Sequence, residues 1–488
     1  MNRNSRVIVP LISAFVLVTL LTPVLSAQVL ENLPYSGGVL TARAIRAGRI
    51  QLPAANSSND VVANPDLTCS PAPCVFTPVR ASSGGQPSNE SPLAVSPLDA
   101  NKFLSGANDY NCGNIQGFYA TVDGGTTWTR KCSPGSGGQG DPVVGYDRLG
   151  NAFAGGIQSG SFKIFISTND GSTWGNPINV TGPLLGYLAD KPWMEVDTNA
   201  SSPFVNNIYF SGTQFSFNSD SEISVSVSSD HGQHWTTKAV DTVQHYPTNV
   251  DQFSDLAVGA DGTVYVTWIR CHANGPTGDC GGTTTNIMMS KSVDGGLTWT
   301  PAAAIFTAAL APDPNSCCFY GMLPNTSERV SEIPAVEVNG SGATAKVYVA
   351  YYNWTGSKMQ SMLRSSVDGG LTWNAGTIVS AAAGDQFFQW VSLIRSRILV
   401  SWLDRRNDSA NVKYQPMFAI SGNGGASFGA AHLLSSAQSN PLNDGFGGGF
   451  MGDYRTSTTT GTNFYAVWED TTTGTNNVQD MFGGAKIH

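Results

Sequence analysis

From residue 87 onward, short apolar runs alternate with punctuation rich in Gly, Asn, Asp and Ser. Runs of this length between turn residues predict strands. They fall into seven units, each with a polar opening, a short first strand and a second strand that often ends in an aromatic. The first unit opens at Glu90 and continues through Leu93-Ala94-Val95 to a second strand over Lys102 to Asn108. Later units open at Asp141, Asp190, Asp255, Glu332, Gln389 and Asp453.

An octamer punctuates the first six units. It reads Ser292-Val293-Asp294-Gly295-Gly296-Leu297-Thr298-Trp299 in the fourth and Ser366-Val367-Asp368-Gly369-Gly370-Leu371-Thr372-Trp373 in the fifth. Looser copies start at Thr121, Ser167, Ser228 and Ser421, so the spacing is about 46 to 74 residues. Asn169 and Asn423 take the Asp position, His234 takes the Thr position and Phe428 the Trp position. An Asp or Asn that bonds its own backbone, followed by Gly with positive φ, builds a tight hairpin turn. The Trp then re-enters the next strand and buries a large apolar face. One supersecondary unit repeated at this period predicts an all-β propeller of seven four-stranded blades, with six as the alternative.

The octamer resembles the Asp-box, or bacterial neuraminidase repeat, of sialidase-like β-propellers. In that family the box turn lies between the third and fourth strands, on the face opposite the ligand. Asp190-Lys191-Pro192-Trp193, Trp402-Leu403-Asp404-Arg405-Arg406 and Gly452-Asp453-Tyr454 are similar to secreted bacterial members described as exo-α-sialidases. The resemblance implies a glycoside hydrolase with an arginine clamp and a Tyr–Glu pair. The arginine motif that precedes the first blade in true sialidases is absent; Arg80 stands nearest to it.

Residues 1–27 read as a secretory signal peptide: Arg3 and Arg6, an apolar run from Val7 to Leu25, then Ser26-Ala27. The mature protein is thus expected to be secreted, extracellular or periplasmic, without a transmembrane anchor. Eight cysteines suit an oxidising compartment. Cys69 and Cys74 are candidates for a local disulfide, and Cys317-Cys318 for a vicinal one. Residues 28–86 are expected to form an extended leader, in which Cys74 to Arg80 could supply the closing strand of the propeller over 87–488. The net charge of −9 argues against nucleic acid as a partner.

Propeller geometry sends strand openings and the ends of second strands to one channel mouth. Asp190, Glu332, Asp453 and Tyr454 are the catalytic candidates there. Glu90, Asp109, Asp141, Lys191, Trp193, Arg329, Asp404, Arg405 and Arg455 are the substrate-binding candidates. Carboxylates, arginines and aromatic faces (Tyr187, Tyr320, Phe387, Phe388, Trp390, Phe446 and Phe450 among them) together suit a glycan. Crowded carboxylates need arginines, a cation or raised pKa values. Ca²⁺ takes such oxygens, yet no metal-binding motif is present, so no cofactor is expected. A polysaccharide lyase acting on uronic-acid polymers and a non-catalytic glycan- or protein-binding propeller are the rival readings. The Gly445 to Gly449 stretch is expected to form a mobile rim.

Overall fold

The computed structural model describes residues 30–53, 72–474 and 477–487. The signal peptide and Cys69 lie outside them. Seven antiparallel sheets form a seven-bladed β-propeller. The second blade shows the pattern: Gly138–Tyr146 is innermost, followed outward by Ala152–Gln158, Ser161–Ser167 and Ile178–Thr181. The seventh blade takes Ser457–Thr460, Asn463–Asp470 and Gln479–Lys486 from the C-terminus. Its outer edge is covered by Cys74–Val75 and Val79–Arg80, which pair antiparallel with Gln479–Lys486. This pairing joins the chain's two ends and removes an exposed edge.

The octamers close the outer hairpins as their residue types require. In the fourth blade Ser292 Oγ accepts from the Gly296 amide at 2.9 Å, and Asp294 Oδ1 accepts from the Thr298 amide at 2.9 Å. Asn169 and Asn423 accept the same bond, from Thr173 and Ser427. The Gly124 amide of the first octamer donates to Asn101, in the connection between first and second strands. That connection lies at the far end of the inner strand from Glu90, so the octamer turns and the acidic openings occupy opposite faces.

Among the described residues, one α-helix departs from the all-β pattern, beside short 3-10 turns at Gly342–Thr344 and Pro441–Asn443. Gly37–Arg46, within the leader expected to be extended, is that helix, α1. Ser36 caps it through a hydrogen bond from the Val39 amide, and Arg43 and Arg46 stand in its last turn, where cations are favourable. The helix buries Val39, Leu40, Ala42 and Ala44. No helix among the described residues is long and apolar enough to cross a membrane.

Candidate functional site

Five inner strands kink at the same level. The register breaks between Gly140 and Val143, Asp190 and Trp193, Gln252 and Asp255, and Phe387 and Trp390, with a matching gap between Asn89 and Leu93. At each bulge one non-glycine residue adopts positive φ: Glu90 (63°), Asp141 (56°), Lys191 (49°), Phe253 (61°) and Phe388 (50°). A bulge re-aims its side chain, and left-handed backbone at a bulky residue is a strain that clusters at special sites.

The structure gathers Glu90, Asp141, Asp190, Lys191, Arg329 and Asp453 at the end of the channel, all buried. Asn108 Nδ2 donates to Glu90 Oε2 at 2.7 Å, and the Asp453 amide donates to Glu90 Oε1 at 2.9 Å. Gln252 Nε2 donates to Asp190 Oδ2 at 2.9 Å. Arg329 holds Asp453 by two bonds. Lys191 Nζ has no hydrogen-bond partner and stands 3.8 Å from the Tyr454 ring centroid and 4.9 Å from that of Trp193. Both oxygens of Asp141 also lack a hydrogen-bond partner. Trp193 packs on Trp390, with centroids 4.8 Å apart, and on Tyr454. These rings form a floor. On its far side is a cavity of about 260 Å³ lined by Glu195, Asp255 and Glu337.

Burial, then the neighbouring Asp190 carboxylate, push Asp141 up to about 7. Burial, then Asp141 and Asp453, raise Glu90 well above the ordinary range. Asp190 is raised by burial, while burial pulls Lys191 down against Asp141 and Glu90.

The leader occupies this mouth. The Ser36 amide donates to Asp190 Oδ2 at 2.8 Å, and the Gly37 amide to Asp453 Oδ2 at 2.7 Å. The Pro34 carbonyl accepts from Tyr320 Oη and Gln252 Nε2, and the Tyr35 carbonyl from Arg329 Nη2. A Cβ on Gly38 would stand 2.2 Å from Asp141 Oδ1, and one on Gly37 would stand 2.0 Å from the Phe450 ring. Only glycine allows that approach. Carboxylates are favourable neighbours for the positive end of a helix dipole.

Several expected members lie elsewhere. Glu332 accepts from the Tyr352 amide and Gln389 Nε2, so it ties neighbouring blades instead of joining the ring. Asp255 accepts from the amides of Leu256 and Val336. It falls two residues beyond the bulge position, past the level of the ring. Asp109 bonds Tyr119 and Asn111. Asp404 bonds Arg406, Gln386 and Trp402. Arg405 stands 3.6 Å from Asp385 and donates to the Pro324 and Asn411 carbonyls. Arg455 is buried near Glu469, the first carboxylate that supports its charge. The three arginines therefore do not form one clamp. Tyr454 Oη donates to the Pro142 carbonyl, and burial, then Glu90, push its ionisation well up, so its phenol is not activated.

The aromatics expected to be exposed are covered: Tyr320, Phe387, Phe388, Trp390, Phe446 and Phe450 are buried, and Tyr187 alone is half-buried. The Gly445 to Gly449 rim is pinned by Asp444, whose carboxylate accepts from the amides of Phe446, Gly448, Gly449 and Phe450. Disulfides join Cys112 to Cys132, Cys271 to Cys280 and Cys317 to Cys318. Sequence reasoning placed the second-strand end at Asn108 in this mouth but missed Gln252 and the Ser36-Gly37-Gly38 cap. A signal was available for the cap, in a serine before an apolar stretch with arginines toward its end. Among the described residues, Asp313, Cys317 and Cys318 have metal-ligand spacing, but the two sulfurs are bonded to each other.

No family model matches the chain, and no curated protein matches it in sequence. Among solved structures, an ulvan lyase covers 83% of this chain and 95% of its own at 12% identity and a TM-score of 0.50. A protein of unknown function from Dyadobacter fermentans covers 90% and 100%, at 13% identity and a TM-score of 0.45. An intramolecular trans-sialidase from Ruminococcus gnavus covers 81% and 94%, at 11% identity and a TM-score of 0.43. These likenesses concern the fold alone.

Proposed function

We propose that this is an exported, sialidase-like propeller of the Asp-box kind that hydrolyses a glycan at the acidic end of its channel. The observation that carries the reading is the convergence of Glu90, Asp141, Asp190 and Asp453, with Asp141 poised at about 7. A carboxyl group that keeps its proton near neutral pH suits a general acid. In the proposed reaction Asp141 gives its proton to the glycosidic oxygen as the bond to the anomeric carbon breaks. Asp453, oriented by Arg329, takes the proton of the attacking water, and the water oxygen completes the new reducing end. The ulvan lyase, whose name records a polysaccharide substrate, supports a glycan as the substrate class. The reading invokes no cofactor.

The charge balance favours hydrolysis over the lyase and over release of sialic acid. Both of those need cations free to meet a sugar carboxylate. Here Arg329 is committed to Asp453, Arg405 lies against Asp385, and Lys191, the mouth's remaining cation, sits over the Tyr454 ring and is shared by Asp141, Glu90 and Asp453, in a mouth that carries four carboxylates. A panel of neutral, amino and acidic glycans, assayed for new reducing ends, tests the reading. Hydrolysis of a non-acidic glycan is expected, with Asp141→Asn and Asp453→Asn each lowering kcat by about 100-fold or more. Absorbance from an unsaturated uronate, or turnover untouched by both substitutions, contradicts it.

A further inference from the structure

We infer that residues 34–46 are a displaceable plug, and that the positive end of α1 stands in for the ammonium group of an amino-sugar glycan. The inference rests on the glycan reading and specifies its substrate class.

The first ground is fit. Two adjacent amides, of Ser36 and Gly37, are directed at two different carboxylates, those of Asp190 and Asp453. Gly37 and Gly38 leave no room for a side chain between the helix and the ring. The second ground is what the plug leaves unmet. Asp141 is buried with both oxygens unpartnered, and Oδ1 is directed at the Gly38 position. A helix end offers a partial positive charge and amides fixed in direction. Its amides bond two acids here, and only the Ser36 hydroxyl bears on the third. An ammonium group carries a full charge and three donors, so it answers Asp190 and Asp453, which the helix meets with a partial charge, and leaves the protonated Asp141 free for the glycosidic oxygen. Neutral hydroxyls could bond these oxygens without offsetting the charge, and carboxylated sugars would add to it.

The third ground is how the plug is held. Beyond the ring it is held by Tyr35, Val39, Leu40 and Ala44, which pack into the main hydrophobic core, and by side chains that grip its backbone: Tyr320 and Gln252 at Pro34, and Arg329 at Tyr35. Arg43 donates to Tyr187 Oη and lies over the Tyr35 ring. None of these bonds is part of a sheet ladder, and the closing strands at Cys74–Val75 and Val79–Arg80 are separate from the plug. Its departure therefore leaves every blade paired.

The test inserts a specific-protease site after the exposed Gln51 and compares intact with cut protein. Carboxyl labelling by carbodiimide and an amine reads whether the ring has opened. Calorimetry with glucosamine oligomers, their N-acetylated counterparts and oligouronates reads the ligand class. Expected after the cut are labelling of Asp141 and Asp190 and at least tenfold tighter binding of the glucosamine oligomer than of either control. Gly38→Val in the uncut chain should open the ring in the same way. If the fragment stays seated with the acids unlabelled in both proteins, the plug is a fixed part of the fold and the inference fails. If the acids label but the amino glycan shows no preference, the ligand class is wrong. Tight binding without turnover would overturn hydrolysis and leave this inference standing.

Discussion

Arg329 grips Asp453 with two hydrogen bonds, Nε to Oδ1 at 2.7 Å and Nη2 to Oδ2 at 3.1 Å, and the same Nη2 reaches the Tyr35 carbonyl at 2.9 Å. One guanidinium thus joins the acidic ring to the leader inside a fully buried site. Removing one partner of such a pair strands the other charge, at a cost of about 3–5 kcal/mol. Arg329→Met should lower the urea midpoint accordingly. Arg329→Met with Asp453→Asn should recover much of the loss, because no ion is then left alone. Equal losses in the single and double variants would mean that the arginine acts through packing.

Stability should fall between pH 5 and pH 8. Burial pushes Asp255 and Asp480 up to about 7, and Asp141 reaches the same value. Their ordinary value is about 4. The folded protein therefore holds protons that the unfolded chain releases. Their stabilising effect is complete below about pH 4 and is lost as pH rises through about 7. The octamer acids run the other way: the hydroxyl and amide of Thr298 hold Asp294 down at about 2, so its contribution is lost only in stronger acid. Thermal melts should give a higher Tm at pH 5 than at pH 8. The opposite order would mean that these acids are ionised in the fold.

The octamer turns should act locally. Ser292→Ala removes the acceptor of the Gly296 amide, a buried bond of 2.9 Å, and should cost about 1–3 kcal/mol. The acidic mouth lies on the opposite face, so carboxyl labelling there should not change. Altered labelling would show that the two faces are coupled.

The sequence carried the architecture because each octamer is local chemistry: an acceptor, a glycine and an aromatic within eight positions. Legibility of the mouth was partial. Glu90, Asp141, Asp190, Lys191 and Asp453 were visible as charged residues at strand openings, and Arg329 as one on a loop beside them. Which openings share a level depends on a one-residue bulge that no local pattern marks. Hence Glu332 and Asp141 look alike in the sequence, although Glu332 ties adjacent blades. The plug was hidden for a related reason. Gly37-Gly38 lowers helix propensity, and the need for two glycines arises only from Phe450 and Asp141, distant in sequence. The leader covers Phe450 and Tyr320, whereas Phe387 is covered by Phe388 and Tyr414 and Trp390 by Trp193.

The two parts of the leader should separate on truncation. A chain lacking residues 28–51 keeps the strands that pair with Gln479–Lys486 and should keep the intact protein's oligomeric state on size exclusion. A chain beginning at residue 87 uncovers that edge and should aggregate. If both behave alike, edge closure is not what the leader contributes.

Amide hydrogen exchange at Ser36 and Gly37 in the intact protein tests the central claim most directly. Their bonds to Asp190 and Asp453 predict protection comparable to that of the inner strands, lost in Gly38→Val while the blades stay protected. Exchange at the rate of an exposed peptide in the intact protein would show that the acidic mouth is not occupied by its own chain.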